Sequence, residues 1–470
     1  MAIDSLGPSL SMFTGFKARW QEEAGYRQLL KVAFPLIVSS GSTSLMLFID
    51  RMLLSWYSNE AIAATLPAGL LHWTLICPFF GMAMYTSTFV AQYTGANRPE
   101  RVGASIWQGL YLCLIGSLAL PALSPLADEF FSLVGHAPRI QEMESSYFKI
   151  LCFCSFFFLT NAVLSSFYSG RGKSWTIVWI NLLAMFLNTL FDYAWIFGHW
   201  GFPEMGIRGA GYATMASSCI GSAVYFVLVL SSANDATYST KRSWKLEVDL
   251  IRRMVKFGLP AGVHFFLDVI GFTIFIMLIG RLGIAASAAT NIAHQIHLLG
   301  LLPLVGLGIA NSILVGQYQG AKRSPLAVKA TYSSIQLATA YNIVAASCYL
   351  FLPLLFIGPF FLARQDPPSP ELVELISNLL KFVALFTFFD AFVILTSGTL
   401  KGAGDTKFVM RTLTLTSVIL VIVPTVLIIE VYRLPLYYAW SILAVNQICL
   451  SIIFYLRFRS GKWKDNQVIE

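Results

Sequence analysis

Four aspartates of this 470-residue sequence lie well inside long apolar stretches, where a carboxyl group is unusual. Asp50 lies 19 residues beyond Lys31, and Asp192 lies 19 residues beyond Lys173. The rise of an α-helix puts both carboxyls about 28 Å from those cations, and hence at one depth. Asn188 lies one helical turn before Asp192 and shares its face. We therefore expect Asp50, Asn188 and Asp192 to form an oxygen-rich site that binds a proton or a cation.

A second pair of acids occupies the other half of the chain. Asp268 lies 12 residues beyond Lys256, and Asp390 lies 11 residues before Lys401. Along a helix these separations are about 18 Å and about 16 Å, so both carboxyls should lie near the middle of a membrane. His264 precedes Asp268 by one helical turn, and its ring could tune that carboxyl.

A charged side chain inside lipid costs several kcal/mol unless it faces a cavity or a partner. Each aspartate could instead make a structural hydrogen bond between helices, and Asp50, beside Arg51, could lie at the membrane surface. The depth-matched pairs favour function. His294 and His297 lack the converging ligands of a metal site, and His297 is interpreted as packing because His72 matches it in an internal repeat. No metal site is expected, apart from Na+ at the acids.

The composition defines the elements that must position these residues. Charged residues make up 12% of the sequence and hydrophobic residues 56%, with a mean hydropathy of +0.68; soluble proteins carry about 25% charged residues. Apolar runs of about twenty residues cross a bilayer as helices, because lipid cannot hydrogen-bond an unpaired backbone. The sequence predicts an all-α integral membrane protein with twelve transmembrane helices over residues 29–54, 61–91, 102–124, 147–168, 175–198, 208–231, 256–280, 285–315, 331–359, 375–398, 408–430 and 435–456.

The charged residues between these spans predict the orientation. With the N-terminus inside, 24 of the 32 Lys and Arg residues fall on the cytoplasmic side and eight on the other side. Such a bias predicts both termini in the cytoplasm and an even number of helices. We expect this multi-pass chain to lie in the plasma (inner) membrane. The basic residues lie in loops rather than in a soluble domain, so they do not indicate nucleic-acid binding.

The second half of the chain repeats the first. At an offset of 225 and later 232 residues, the matching pairs are Pro35 and Pro260, His72 and His297, Gln92 and Gln317, Lys149 and Lys381, and Gly170 and Gly402. Six helices per half make the halves parallel repeats around a central cavity, in two six-helix bundles. The predicted units are lobes at 29–231 and 256–457, a cytoplasmic linker at 232–255, and cytoplasmic tails at 1–28 and 458–470.

Two further features concern the ends of the lobes. Pro35 and Pro260 recur at equivalent points of the first helix of each half, which predicts helix kinks there. Residues 12–28 place Phe13, Phe16 and Trp20 on one helical face. That pattern indicates either a short helix on the membrane surface or a solvated tail.

The sequence resembles the multidrug and toxic compound extrusion (MATE) transporters over nearly its whole length. The resemblance lies in two sets of six helices, a proline in the first helix of each set, a Gln-x-x-Gly-Ala loop after the second, and the motifs at 288–296 and 398–406. It implies that Asp50, Asn188 and Asp192 match the acidic site of the DNA-damage-inducible branch. Asp268 and Asp390 match the second-lobe cation site of the NorM-like branch, with Asp268 in place of glutamate. A tyrosine of that branch is Phe386 here.

The sequence contains no Gly-x-x-x-x-Gly-Lys-Ser/Thr phosphate-binding loop, so the energy for transport would come from an ion gradient. We expect a cation-coupled antiporter that exports organic cations, amphipathic drugs or metabolites by alternating access. Burial disfavours a charged carboxylate and two facing aspartates tend to share a proton, so H+ is favoured over Na+ as the coupling ion. No cofactor is expected. The partners would be the lipid bilayer and small-molecule substrates, and the chain would be a monomer.

Two alternatives stay open. A lipid-linked oligosaccharide flippase of the same superfamily would have a similar architecture, but it would need arginines in its cavity to hold pyrophosphate. The candidate for such an arginine is Arg281, which is near a span interior. A membrane-embedded enzyme would need His and Asp clustered at one depth on adjacent helices, and the sequence pattern does not show this.

Overall fold

The computed structural model describes residues 16–361, 369–466 and 468–470, and regular structure in these ranges is helical. Phe13 of the predicted surface helix lies outside these ranges. The helices are α1 Phe16–Gln21, α2 Tyr26–Tyr57, α3 Asn59–Gly95, α4 Glu100–Leu123, α5 Ala127–Val134, α6 Pro138–Ser169, α7 Trp175–Phe197, α8 Ile207–Val229, α9 Ser232–Tyr238, α10 Val248–Gly280, α11 Ile284–Gly320, α12 Ser324–Phe351, α13 Pro353–Ile357, α14 Pro370–Ala403, α15 Thr406–Thr416, α16 Val423–Val426 and α17 Leu436–Arg459.

Eleven helical segments of the described chain are long and apolar enough to cross a membrane. A twelfth span forms if α12 is joined to the segment Pro353–Phe360, which is bent away from it by 90°. The bend falls at Leu352, before a proline that lacks an N–H donor and restricts the residue preceding it. The predicted all-α membrane fold is therefore confirmed, and the predicted ninth span, 331–359, turns sharply near its end.

Several helices run further than the predicted spans at the face that carries the linker. Helix α10 begins at Val248, inside the predicted linker 232–255, and α14 continues to Ala403 rather than ending at 398. The eleventh span is irregular, because π-helical turns at Ser417–Ile422 and Leu427–Val431 flank the short helix α16, which contains Pro424. Nothing in the fold tests the exact lobe boundaries, which stay predictions.

The two halves touch through repeat-related contacts between their first and second helices. Gly81 of α3 packs against Gly262 of α10, and its repeat mate Gly306 of α11 packs against Ile37 of α2. A Cβ atom at Gly81 would lie 2.6 Å from the Gly262 Cα, so the backbones approach too closely there for a larger residue. The internal repeat therefore produces a matching pair of helix crossings.

A symmetric pair of hydrogen bonds joins the halves at the face that carries the linker, which we call the linker face. Gln92 Nε2 donates to the carbonyl oxygen of Gly402 over 2.9 Å, and Gln317 Nε2 donates to that of Gly170 over 2.8 Å. Both donors and both acceptors are repeat mates. We call these two bonds the glutamine bridges. They hold the halves together at the linker face.

The N-terminal segment also binds the second half. Glu23 accepts hydrogen bonds from Arg323 over 2.6 and 2.8 Å, and Glu22 pairs with Lys329 of α12 over 2.6 Å. The Lys329 ammonium holds the pKa of Glu22 below its ordinary value. The described residues 16–25 thus dock on α12 and its preceding loop, rather than forming a solvated tail. At the other end of the chain, Glu470 pairs with Arg101 over 3.0 Å.

Candidate ion and substrate sites in the two halves

The first-half site forms where α2 packs against α7. Asp50, Asn188 and Asp192 are all buried, and the carboxyl groups of Asp50 and Asp192 lie within hydrogen-bonding range of each other. Asp50 is buried, whereas the adjoining Arg51 is exposed. The structure therefore brings the two predicted first-half acids together, and the depth of Asp50 in the membrane stays a prediction.

The polar atoms of this site lack partners within the described protein. No hydrogen bond reaches Asp50 Oδ1, either carboxyl oxygen of Asp192, or the side-chain oxygen and nitrogen of Asn188. Buried polar groups are normally hydrogen-bonded, so five unsatisfied atoms in one place call for a missing partner. A proton held between the two carboxyls would supply a donor that the neighbouring side chains do not. A cation surrounded by these oxygens would satisfy them as well.

The second half places its buried acid in a different environment. Asp390 of α14 accepts a hydrogen bond from Gln447 Nε2 over 3.1 Å, and its other oxygen lies 3.5 Å from His297 Nε2. The opposite ring nitrogen of His297, Nδ1, lies 3.2 Å from Thr387 Oγ1. Asp390 is therefore held by an amide and an imidazole from α17 and α11.

Sequence reasoning missed Gln447 and assigned His297 to packing alone. The matching pair in the first half, His72 and Ser155, also makes a contact between ring and hydroxyl, but through the other ring nitrogen, with His72 Nε2 2.8 Å from Ser155 Oγ. The second half adds an acid on top of this shared pair, which makes His297 part of the site. The signal was available for Gln447, a polar residue in the middle of an apolar span.

Asp268, the other second-half acid, faces open space. Half of its side chain is exposed (49%), whereas the Asp390 side chain is 10% exposed. His264 Nε2 lies 3.4 Å from Asp268 Oδ2, one helical turn away as predicted. Asp268 and Asp390 interact electrostatically but sit in different surroundings. An acid with an accessible oxygen inside a membrane protein is suited to binding a cationic ligand.

Lys401 follows the predicted span 375–398 and was expected in a loop. It lies instead within α14, which extends to Ala403, and its ammonium acts electrostatically on Asp268 and His264. The backbone carbonyl of Lys401 also accepts a hydrogen bond from Tyr85 Oη of the first half, over 2.9 Å. Lys401 therefore belongs to the surroundings of the second-half site.

The prolines lie close to the helix crossings described above. Pro35 and Pro260 are inside the continuous helices α2 and α10, each two residues before a crossing residue, Ile37 or Gly262. A proline inside a helix removes one backbone hydrogen bond and permits bending. The kink itself stays a prediction.

Comparison with known proteins places this architecture in one family. The MatE family model matches residues 35–194 and 260–427, and the two matches begin at the repeat-related prolines. This chain belongs to the MATE family. As a MATE transporter it is not an enzyme, and the membrane-embedded enzyme considered above is excluded.

Relatives of this MATE chain match along most of its length. A probable multidrug resistance protein NorM of Thermotoga maritima is 26% identical over 466 residues, covering 98% of this chain and 97% of that protein. The multidrug resistance protein PmpM of Pseudomonas aeruginosa is 27% identical over 412 residues, covering 86% and 83%.

Solved structures share the fold of this MATE chain. An outward-facing multidrug resistance MATE transporter superposes with a TM-score of 0.84 at 19% identity, covering 96% of this chain and 99% of that one. A MOP superfamily transporter from Pyrococcus furiosus, described by a reversed polarity of its binding pocket, gives a TM-score of 0.83 at 20% identity, covering 96% and 99%.

Proposed function

We propose that this MATE chain is a cation-coupled multidrug antiporter that exports organic cations and amphipathic compounds. The relatives named as multidrug resistance proteins support the substrate class. The observation that carries the coupling proposal is the facing pair of Asp50 and Asp192, buried without a hydrogen-bond donor from the described protein. Buried carboxyls in a membrane protein mark ion pathways, because their burial is otherwise unfavourable. The coupling ion is the sole inorganic partner in this proposal, and no cofactor takes part.

The proposed coupling ion is H+. The two carboxyls are close enough to share a hydrogen bond, and a single proton between them both removes one negative charge and supplies the missing donor. Na+ would have to be held by the same carboxylates together with the Asn188 side-chain oxygen. In the second half, Phe386 lies against His297, with ring centroids 4.6 Å apart, and contributes no oxygen to a Na+ shell.

Substrate would bind from the second half. Asp268 offers an exposed carboxylate, and Phe265 beside it is partly exposed and packs against Phe80 of α3, with ring centroids 6.0 Å apart. An acid next to aromatic faces suits an organic cation, which gains from charge pairing and from cation–π contact. The basic Lys401 nearby would compete with substrate for the Asp268 carboxylate.

Alternating access would proceed by opening and closing the linker face. The glutamine bridges and the close approach of Gly95 to the Gln317 carbonyl, and of Gly320 to the Gln92 carbonyl, hold that face shut. In this arrangement an ion from the opposite side would reach the acids first. Binding of the ion would favour release of substrate there and the return of the lobes, 29–231 and 256–457, to the other state.

The linker face is proposed to be cytoplasmic, with the chain a monomer in the plasma (inner) membrane. The test is labelling of Ser239→Cys and Gln467→Cys by a membrane-impermeant thiol reagent in intact cells. Gln467 lies outside the described residues. Protection in intact cells and labelling after permeabilisation are expected at both sites. Labelling of either site from outside would reverse the orientation.

The coupling proposal is tested with purified protein in liposomes that are loaded with a fluorescent cationic dye. A pH gradient imposed in Na+-free buffer should drive dye movement, and a Na+ gradient at uniform pH should not. Transport that needs the Na+ gradient would assign the acids to Na+. An equal rate of dye movement with and without an imposed ion gradient would contradict ion coupling.

The flippase alternative loses its candidate arginine. Arg281 follows the last residue of α10, is 65% exposed and pairs with Glu430, so an acid already matches its charge. No observation on the described residues favours that alternative over drug export.

A further inference from the structure

The loop that connects the two halves is held rigidly against one helix of the first half. Trp107 Nε1 of α4 donates to the Thr240 carbonyl over 2.7 Å, and Gln108 Nε2 donates to the Lys245 carbonyl over 2.9 Å. Tyr111, also on α4, donates to the carbonyl of Trp244. We call residues 239–247 the linker loop. Because α4 binds its backbone, its side chains are free to face away.

The exposed side chains of the linker loop combine positive charge with large apolar groups. Lys241, Arg242 and Lys245 are exposed, and Trp244 and Leu246 between and beside them are 58% and 62% exposed. Apolar side chains of this size are rarely left in water next to one another. The alternation of cations and apolar groups suits a surface that is negatively charged outside and apolar beneath.

The acids near the linker loop do not neutralise these cations. Glu247 pairs with Arg101 over 2.8 Å, and Asp235 accepts a hydrogen bond from the Lys241 backbone N–H over 2.7 Å. Asp249 is exposed in the first turn of α10 and is followed by Arg252 and Arg253. The loop and the first turns of α10 therefore carry a net positive charge.

The contacts with α4 fix the depth of the loop. The start of the loop lies against Gly103 of α4, and the Trp244 carbonyl contacts Tyr111 further along that helix. At the end of the loop, Glu247 pairs with Arg101 in the first turn of α4, so the loop runs along the helix and back. Tyr111 lies eleven residues from the helix start, about 16 Å along the axis, and helical side chains lean back toward the N-terminus. The linker loop therefore lies along the first turns of a transmembrane helix, and tryptophan is a residue type enriched at membrane–water interfaces.

We propose that the linker loop binds anionic phospholipid headgroups of the adjacent leaflet. Trp244 and Leu246 insert at headgroup level, and Lys241, Arg242 and Lys245 contact the phosphates. Basic clusters beside a transmembrane helix bind anionic lipid, and each cation strengthens binding by about fivefold. Lipid binding can be measured on protein in detergent, without transport and without a defined membrane orientation. The test of this proposal is therefore independent of the transported substrate and of the topology proposed above.

The test titrates delipidated full-length protein in detergent with dioleoylphosphatidylglycerol or with dioleoylphosphatidylcholine, and counts bound lipids by native mass spectrometry. The glycerol headgroup lipid should bind wild-type protein at least about tenfold more tightly than the choline lipid, and the difference should shrink at high salt. Removing the charges together (Lys241→Gln, Arg242→Gln, Lys245→Gln) should remove most of that preference. Trp244→Ala should weaken binding of both lipids.

The matched control removes three exposed cations elsewhere on the linker face, through Arg459→Gln, Lys462→Gln and Lys464→Gln. Little change in the preference for the anionic lipid is expected in this control, and a loss equal to that of the loop variant would show that net charge alone attracts the lipid. If glycerophosphoglycerol, which lacks acyl chains, binds as tightly as the anionic lipid, the loop binds a free anion and not a lipid. Both results overturn the proposal.

A second measurement keeps the proposal testable if the variants fold poorly. Hydrogen exchange of wild-type residues 239–247 should be slower in nanodiscs of the anionic lipid than in nanodiscs of the choline lipid. Identical exchange in the two lipids would overturn the proposal without any substitution.

Discussion

The two halves of this MATE chain share one repeat but treat their buried acids in opposite ways. In the first half, Asp50 and Asp192 face each other, and their buried oxygens lack a donor from the described protein. In the second half, Asp390 has Gln447 and His297 as partners, and the Asp268 side chain is half exposed. The first-half pair therefore lacks the protein partners that Asp390 has. The difference favours ion coupling in the first half and ligand binding in the second.

The repeat also shows how the second-half site differs from the matching place in the first half. In both halves, a histidine of the second membrane span contacts a hydroxyl group of the fourth span. His72 of α3 contacts Ser155 of α6, and His297 of α11 contacts Thr387 of α14. At the position of Asp390 the first half has Phe158, which stacks with Phe80 at 5.1 Å between centroids. One half thus uses this place for aromatic packing, and the other uses it for an acid.

The largest expected effect is the loss of coupling in the first half. Asp50→Asn or Asp192→Asn should reduce gradient-driven dye export to background, because the amide keeps the shape of the carboxyl but cannot release a proton. Folding should be retained, as judged by gel filtration and the thermal midpoint. The control is Glu142→Gln, an exposed acid (73%) outside both sites, which should export normally.

If Asp50→Asn and Asp192→Asn both export dye at the wild-type rate, these two acids have a structural role and not a coupling role. Coupling would then move to the second half, and Asp268→Asn and Asp390→Asn would become the variants expected to lose export.

A smaller effect is expected at the open acid of the second half. Asp268→Asn should raise the KM for a cationic dye by about tenfold, since a charge-assisted contact contributes roughly twice as much as a neutral one. The maximal rate and the pH-gradient dependence should change little. Initial rates measured over a range of dye concentrations separate these quantities. A fall in maximal rate at constant KM would contradict a binding role for Asp268.

The glutamine bridges predict equal effects in the two halves. Gln92→Leu and Gln317→Leu should each shift the closed state toward opening by about fivefold, because each removes one hydrogen bond worth about 1 kcal/mol. Maleimide labelling of the repeat-related reporters Ser87→Cys and Ser312→Cys, in a background without native cysteines, would measure the opening.

Gln319→Leu is the matched control for the glutamine bridges. Gln319 donates to the Lys464 carbonyl over 2.8 Å and accepts from Ser324 Oγ over 2.7 Å, so this substitution loses hydrogen bonds on the linker face that lie within the second half. If the control raises labelling as much as the bridge variants do, the bridges do not hold the linker face closed.

The smallest effect tests the shared histidines. His72→Gln and His297→Gln should lower the free energy of unfolding by similar amounts, about 1 kcal/mol each, since each loses one contact with a hydroxyl. Only His297→Gln should also reduce export, by about threefold, because only this ring faces an acid. Equal export by the two variants would return His297 to a packing role.

The spans and the repeat were predictable because they are properties of the chain itself. A run without charge from Arg208 to Asp235 is visible in the sequence, and α8 covers most of it. The proximity of Asp50 and Asp192 was predictable because both acids lie 19 residues from a cation at the end of their spans.

The partners of the second-half acids were not predictable in this way. Contacts such as Gln447 with Asp390 depend on how α14 and α17 rotate about their axes, which the apolar pattern of a membrane helix leaves open, since lipid and protein interior are equally apolar. Lys401 was misplaced because α14 runs one turn further than its apolar segment. The docking of residues 16–25 on α12 could not be foreseen either, because its ion pairs join distant parts of the chain.

That docking has a consequence for biosynthesis. The side chains of Glu23 and Arg323 are 300 positions apart along the chain. At 5 to 20 residues per second, the ribosome takes about 15 to 60 s to make the intervening chain. Residues 22 and 23 are thus made long before their partners are. The eight membrane helices that precede α12 are synthesised before this segment can dock on α12.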